Sequence, residues 1–289
     1  MDKSRFKSIE QGTKEWLRLR KNYIGASDAP IIMGESPYKT PYQLWEEKLN
    51  LVKDKESNPA MRRGNFLEPI ARQAYIDYTG NEVFPMLAFH ESIDFMMASL
   101  DGITMDYQLP VEIKCPNEED HQLAKKGQIP TKYYAQIQHQ IAVVNCDSAH
   151  YFSFRDDDIA LVEVERNDDY ITKMCIKETE FWKGLVNFEA PELTEKDVVV
   201  VNDPEWDFIS SQWKDLKKSI EDLSIFEKQY REQLIALCDG QTSQGNGVKV
   251  QKITRKGNVD YSKIRELKDV SLNKYRKKPV ESWRLSINE

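Results

Sequence analysis

The chain has 289 residues, 40% of them hydrophobic, enough apolar material for one large domain with elaborations or for two modest ones. A formal charge of −7, from 41 basic and 48 acidic residues, excludes the uniformly basic surface of many nucleic-acid binders. No apolar stretch approaches the roughly 20 residues of a membrane span, the N-terminus lacks a signal peptide's apolar segment, and the four cysteines form no C-x-x-C pair, so a soluble intracellular protein with reduced thiols is expected.

In chain order, TKEWLRLRKN (13–22) reads as a short helix. GASDAPIIMG (25–34) has the Gly, Ser and Asp of a turn leading into an N-capped helix with exposed backbone N–H groups. TPYQLWEEKLN (40–50) offers Thr40 as N-cap and Pro41 at the first helical position, where a missing N–H matters least. In residues 58–80, Leu67, Ile70, Ala71, Ala74, Tyr75 and Tyr78 recur at three-and-four spacing until Gly80, with Glu68 beside this apolar stripe.

Three strand-like runs follow, EVFPMLAFH, FMMASLDGIT and LPVEIKCP, and suggest an antiparallel meander. TKYYAQIQHQIAVVN (131–145) is a helix carrying Gln136, Gln138 and Gln140, and residues 149–167 read as a hairpin. The order predicts an α/β domain over 1–205, a central mixed sheet flanked by helices.

The second region, 206–289, opens with Trp206, Ile209, Trp213, Leu216, Ile220, Leu223, Tyr230, Leu234 and Leu237 in alternating steps of three and four, broken only at Glu227. This is a long helix with a heptad seam, and such a stripe more often packs within its own domain than between chains. A β-hairpin and a basic tail are expected to complete this extension. Charge is unevenly spread: residues 150–207 hold sixteen acids and six bases, whereas residues 252–289 hold eleven bases and five acids, which keeps a polyanion partner open.

The run Val111-Glu112-Ile113-Lys114-Cys115 places Glu112 and Lys114 on one strand face and the apolar residues on the other. Taken alone, Glu-x-Lys is an ordinary surface ion pair. Asp101, followed by Gly102, lies eleven positions earlier, a spacing that a hairpin folds back so that two carboxylates meet. Such acids repel unless a cation sits between them, and Asp101, Glu112 and the Ile113 carbonyl form a donor set suited to Mg²⁺. Lys114 beside it would orient or deprotonate an attacking water.

These residues resemble the signature of the PD-(D/E)XK nuclease superfamily, with Leu100 where a proline usually precedes the first acid. EWLRLRKNYIGASD, RRGNFLEPIARQAY, SLDG with VEIKCP, and KYYAQIQHQIAV stand in the order seen in the YqaJ-like viral recombinase family, which includes the lambda exonuclease. The resemblance spans residues 15–143, and the GVKVQKITRKGNVDY stretch is similar to the ending of several family members.

The resemblance implies a restriction-endonuclease-like core and a Mg²⁺-dependent 5′→3′ exonuclease acting on linear double-stranded DNA to leave 3′ overhangs for phage-type recombination. It implies two metal ions, replaceable by Mn²⁺, held by Glu68, Asp101, Glu112 and Ile113. Gln136 would support the catalytic lysine or water, with Gln138 a less certain neighbour, while Arg20 and Ser27 would contact the 5′-phosphate. It further implies a ring, commonly a homotrimer, a single-strand annealing partner, and a phage or prophage protein in a bacterial cytoplasm. The rivals are an endonuclease of the same fold, used in restriction or repair, and a DNA-binding protein that lost activity.

Overall fold

The structure, a computed structural model, describes residues 3–53, 58–257, 260, 263–264 and 285–287. The chain divides into two compact units, residues 1–199 and 200–289. The basic tail lies largely outside the described residues.

The first unit runs β1 (Phe6–Lys7), α1 (Lys14–Asn22), β2 (Ile24–Gly25), α2 (Ala29–Ile32), α3 (Pro41–Lys48) and α4 (Pro59–Thr79). It continues with β3 (Val83–Phe89), β4 (Met96–Thr104), β5 (Pro110–Lys114), α5 (Glu118–Lys125), α6 (Thr131–Val144), β6 (Ser148–Arg155), β7 (Asp158–Glu165) and α7 (Asp168–Asn187). One mixed sheet is ordered β1-β3-β4-β5-β6-β7, with β2 parallel to the start of β4. The β3-β4-β5 meander and the β6-β7 hairpin are antiparallel as expected, and β5 pairs in parallel with β6 across the α5-α6 crossover.

Local chemistry starts and stops the helices. Thr40 accepts from the Gln43 N–H in a capping box, with Pro41 opening α3. Asn58 caps α4, and Gly80 ends it at φ 73°, a left-handed conformation that glycine adopts freely. α6 is buried all round from Ile137 to Val144, which identifies it as the helix of the main core. Ile137, Ile141 and Val143 pack there with Leu100, Ile103 and Tyr151. α4 contributes Ala71 and Tyr75 to a separate core with Val111, Ile113 and Phe152.

Two features depart from the sequence reading. The α4 stripe is narrower than its periodicity suggests: Ala71 and Tyr75, one turn apart, are buried, whereas Ile70 and Tyr78 are exposed. The helices α5 and α7 were not anticipated, because their sequences are dense in charge; α7 nevertheless buries Ile171, Met174, Phe181 and Leu185.

The second unit holds α8 (Pro204–Leu237) and a hairpin of β8 (Ser243–Gly245) and β9 (Val248–Val250). Asn246 and Gly247 both have positive φ, which suits the tight turn between those strands. α8 buries none of its residues, and Leu216, Ile220 and Leu223 of the heptad seam are exposed. Among the described residues no helix is long and apolar enough to cross a membrane.

Candidate active site

β4 and β5 pair only at Gly102↔Val111 and Ile103↔Pro110, and then part. β4 is also irregular here. Leu100 pairs with Met86 and Ile103 with Phe84, so Asp101 and Gly102 together stand opposite the single residue Pro85. This is a β-bulge, facing a residue with no N–H to donate. A Cβ on Gly102 would come within 3.1 Å of the Val83 side chain, so any larger residue there needs Val83 to give by a few tenths of an ångström. Leu100 and Ile103 both enter the main core, and Asp101 is left between them. Its Oδ2 accepts the Ile113 N–H at 3.0 Å, taking over where the β4–β5 ladder ends. The N–H and C=O of a strand residue leave by the same edge, so the Ile113 carbonyl also faces β4.

Glu112 is fully buried instead of lying on a wet strand face. Gln136 Nε2 donates to its Oε1 at 2.6 Å, Lys114 Nζ forms an ion pair with the same oxygen, and Gln140 Nε2 donates to Oε2. Gln136 and Gln140 are one helical turn apart on α6, so that helix delivers both amides from one face. Burial opposes charge on Lys114, but Glu112 and Asp101 outweigh it and push the ammonium pKa well up. These two carboxylates hold the ammonium at the site, where it is suited to orienting and stabilising. Its Nζ lies 5.3 Å from the centre of the Tyr133 ring, a cation–π distance.

Glu68 joins the site through Arg72, one turn further along α4. That guanidinium pairs with Glu68 and donates from Nε to the Asp101 carbonyl at 2.6 Å. Burial raises the Glu68 pKa, opposed by Arg72 and reinforced by Glu112. Asp101 is raised further, by burial and then by Glu112 and Glu68. Three carboxylates therefore interact in the presence of two cations, Lys114 and Arg72. The surplus negative charge and the all-oxygen donors suit a hard divalent cation. Among the described residues, no three His, Cys, Asp or Glu side chains are placed so that they could hold a metal ion by themselves.

Gln138 is turned away from this group. It donates to the Glu165 carbonyl at 2.8 Å and accepts the Asn167 N–H at 3.0 Å, tying α6 to the start of α7.

Arg20 and Ser27 form a separate corner. Arg20 Nη2 donates to Ser27 Oγ at 3.0 Å, and the guanidinium lies 4.8 Å from the Trp16 ring centre. Trp16 Nε1 donates to Ser99 Oγ at 3.2 Å, which anchors α1 to the strand that carries Asp101.

Gln140, Tyr133 and Arg72 were missed as site residues. Each had a helical-spacing signal: Gln140 four after Gln136, Tyr133 three before it, and Arg72 four after Glu68.

This mixed sheet, with its parted strands and acid–lysine group, has the fold of known exonuclease structures. The alkaline exonuclease LHK-Exo of Laribacter hongkongensis aligns with a TM-score of 0.55 and 30% identity, over 61% of this chain and 94% of that one. A second LHK-Exo structure, in complex with dAMP, aligns with a TM-score of 0.54. Residues 15–147 match the YqaJ-like viral recombinase domain, and the chain belongs to that family. The YqaJ protein of Bacillus subtilis (strain 168) is 30% identical over 194 residues, 65% of this chain and 61% of that protein, so the match spans about three fifths of its length.

Proposed function

We propose that the protein is a metal-dependent deoxyribonuclease that degrades one strand of linear duplex DNA from a 5′-phosphorylated end and leaves 3′ single strands for an annealing protein. The observation that supports this most directly is the parting of β4 and β5 at Asp101, Glu112 and Lys114, with Glu68 linked to it through Arg72. The dAMP complex of LHK-Exo favours a nucleotide-sized ligand in this family.

Glu68, Asp101, Glu112 and the Ile113 carbonyl would hold Mg²⁺, which when bound supplies Lewis acidity toward a phosphodiester and its attacking water. The chain's own residues do the rest. Lys114, held charged, neutralises developing charge on the phosphoryl oxygens and orients the water. Gln136 and Gln140 fix both Glu112 oxygens, which keeps Lys114 in place. Arg20 and Ser27 receive the terminal phosphate, and holding that end fixed favours cutting at ends over interior positions.

The test compares nucleotide release in Mg²⁺ from linear duplexes with 5′-phosphate or 5′-hydroxyl ends and from covalently closed circles. Digestion concentrated on the phosphorylated linear duplex is expected. Cleavage of the circle would move the protein to the endonuclease reading, and inertness on all three would leave a binding protein.

A further inference from the structure

The corner that carries Arg20 and Ser27 is closed around a single ammonium from another element. Lys48, the last residue of α3, has a side chain only 6% exposed. Its Nζ donates to the Arg20 carbonyl at 2.5 Å and to the Tyr23 carbonyl at 2.6 Å, and pairs with Asp28 Oδ2 at 2.5 Å. An ammonium has three protons, and here each has an acceptor. The two carbonyls belong to the C-terminal end of α1, where helix carbonyls lack intrahelical partners and a cation is favoured. Asp28 follows Ser27 directly, and its Oδ2 also accepts the Gly25 N–H at 2.9 Å. One lysine thus ties together the residue bearing the guanidinium, the exit of its helix and the residue after the hydroxyl.

Charge makes this more than a brace. Although burial opposes ionisation, Lys48 and then Arg20 hold the Asp28 carboxyl below its usual range. Asp28 is close enough for Arg20 to act on it, and Lys48 occupies its carboxylate. With two cations and one carboxylate, the corner keeps one positive charge for a ligand.

We propose that Lys48 and Asp28 are positioning residues for terminal-phosphate recognition: Lys48 fixes the loop and keeps Asp28 from neutralising Arg20. The inference rests on the reading of Arg20 and Ser27 as the phosphate site.

The experiment measures kcat/KM on duplexes with 5′-phosphate and 5′-hydroxyl ends for the full chain, Lys48→Met, Lys48→Met with Asp28→Asn, and Arg20→Ala, with thermal melting as the check on folding. Lys48→Met should lower the phosphate preference about tenfold, mainly through KM. Adding Asp28→Asn should restore part of it, because the quenching acid is gone. A brace alone would slow both substrates in proportion and gain nothing from Asp28→Asn, and that pattern would overturn the proposal. Equally, loss of preference in Arg20→Ala but not in Lys48→Met would overturn it while leaving the phosphate site standing. If the unmodified chain digests both ends equally, the phosphate-site reading itself fails. Should Lys48→Met not fold, Lys48→Gln, which keeps donors for the two carbonyls, carries the same comparison.

Discussion

Two of the lysine–carboxylate pairs in the first unit, alike in chemical type, have opposite surroundings. Lys48–Asp28 is almost wholly buried, closed by two carbonyls and joined by a second cation, Arg20. Lys114–Glu112 buries its acid but leaves a quarter of the lysine side chain exposed, and two further acids, Asp101 and Glu68, act on it. The first pair therefore leaves a surplus of positive charge, and the second a surplus of negative charge. An ion pair is thus a poor guide to function until its neighbours are counted: one corner suits an anion and the other a cation.

The largest expected effect falls on the acid-rich pair. Lys114→Ala should lower hydrolysis about 10³-fold, the scale of losing a positioned catalytic group, in a single-turnover assay. Near-normal turnover would remove Lys114 from the chemistry. Chelation of divalent ions should also stop hydrolysis, yet leave tighter binding of 5′-phosphate over 5′-hydroxyl ends measurable by fluorescence anisotropy, because the basic corner contains no carboxylate cluster. If both disappear together, the two sites are not independent.

A third buried pair calibrates the other two. His139 Nδ1 and Glu178 Oε1 are 2.8 Å apart, His139 Nε2 lies 3.0 Å from the Met97 carbonyl, and both side chains are fully buried. With an acceptor at each ring nitrogen the imidazole carries both protons. Burial pushes its pKa down, but Glu178 and the Met97 carbonyl hold it above the ordinary 6.5. A raised folded-state pKa means that this stabilisation is complete below 6.5 and is lost as pH rises through the folded value. Asp28 works in the opposite direction, its contribution being present above 3.8 and lost as pH falls through its depressed folded value. Glu178→Ala should cost about 3–5 kcal/mol, the usual penalty for stranding one partner of a buried pair. It should also flatten the alkaline side of the melting-temperature profile; an unchanged slope above 6.5 would mean that the imidazole does not carry this charge.

The smallest effect belongs to α8. Ile220→Ala on its exposed seam should change stability by less than about 0.5 kcal/mol in urea unfolding. A larger loss would reveal a partner for that face.

Much of this was legible where the signal is local. Thr40 and Pro41 announced α3, the strand-like runs announced the meander, and the spacing of Asp101 from Glu112 announced the β4–β5 hairpin. What escaped depends on partners remote in sequence. Taken alone, the Glu112 triplet reads as a solvated strand face, because nothing local shows that Gln136 and Gln140 will cover the acid. Lys48 reads as an ordinary helix-ending lysine, twenty residues from its acid. The α4 stripe overstated burial because periodicity shows which residues share a face, and not how wide a surface will meet it.

The bulge at Asp101 and Gly102 places a constraint on chain length as well as on composition. The extra residue lets Leu100 and Ile103, three apart in sequence, face the same core; removing one residue there would let β4 alternate evenly against β3 with both still on that face, but would take away the bulge that sets Asp101 where β4 and β5 part. The number of residues passing through this point is therefore as much a part of the site as their chemistry, and a single-codon deletion here would cost the placement of Asp101 while leaving both core residues seated.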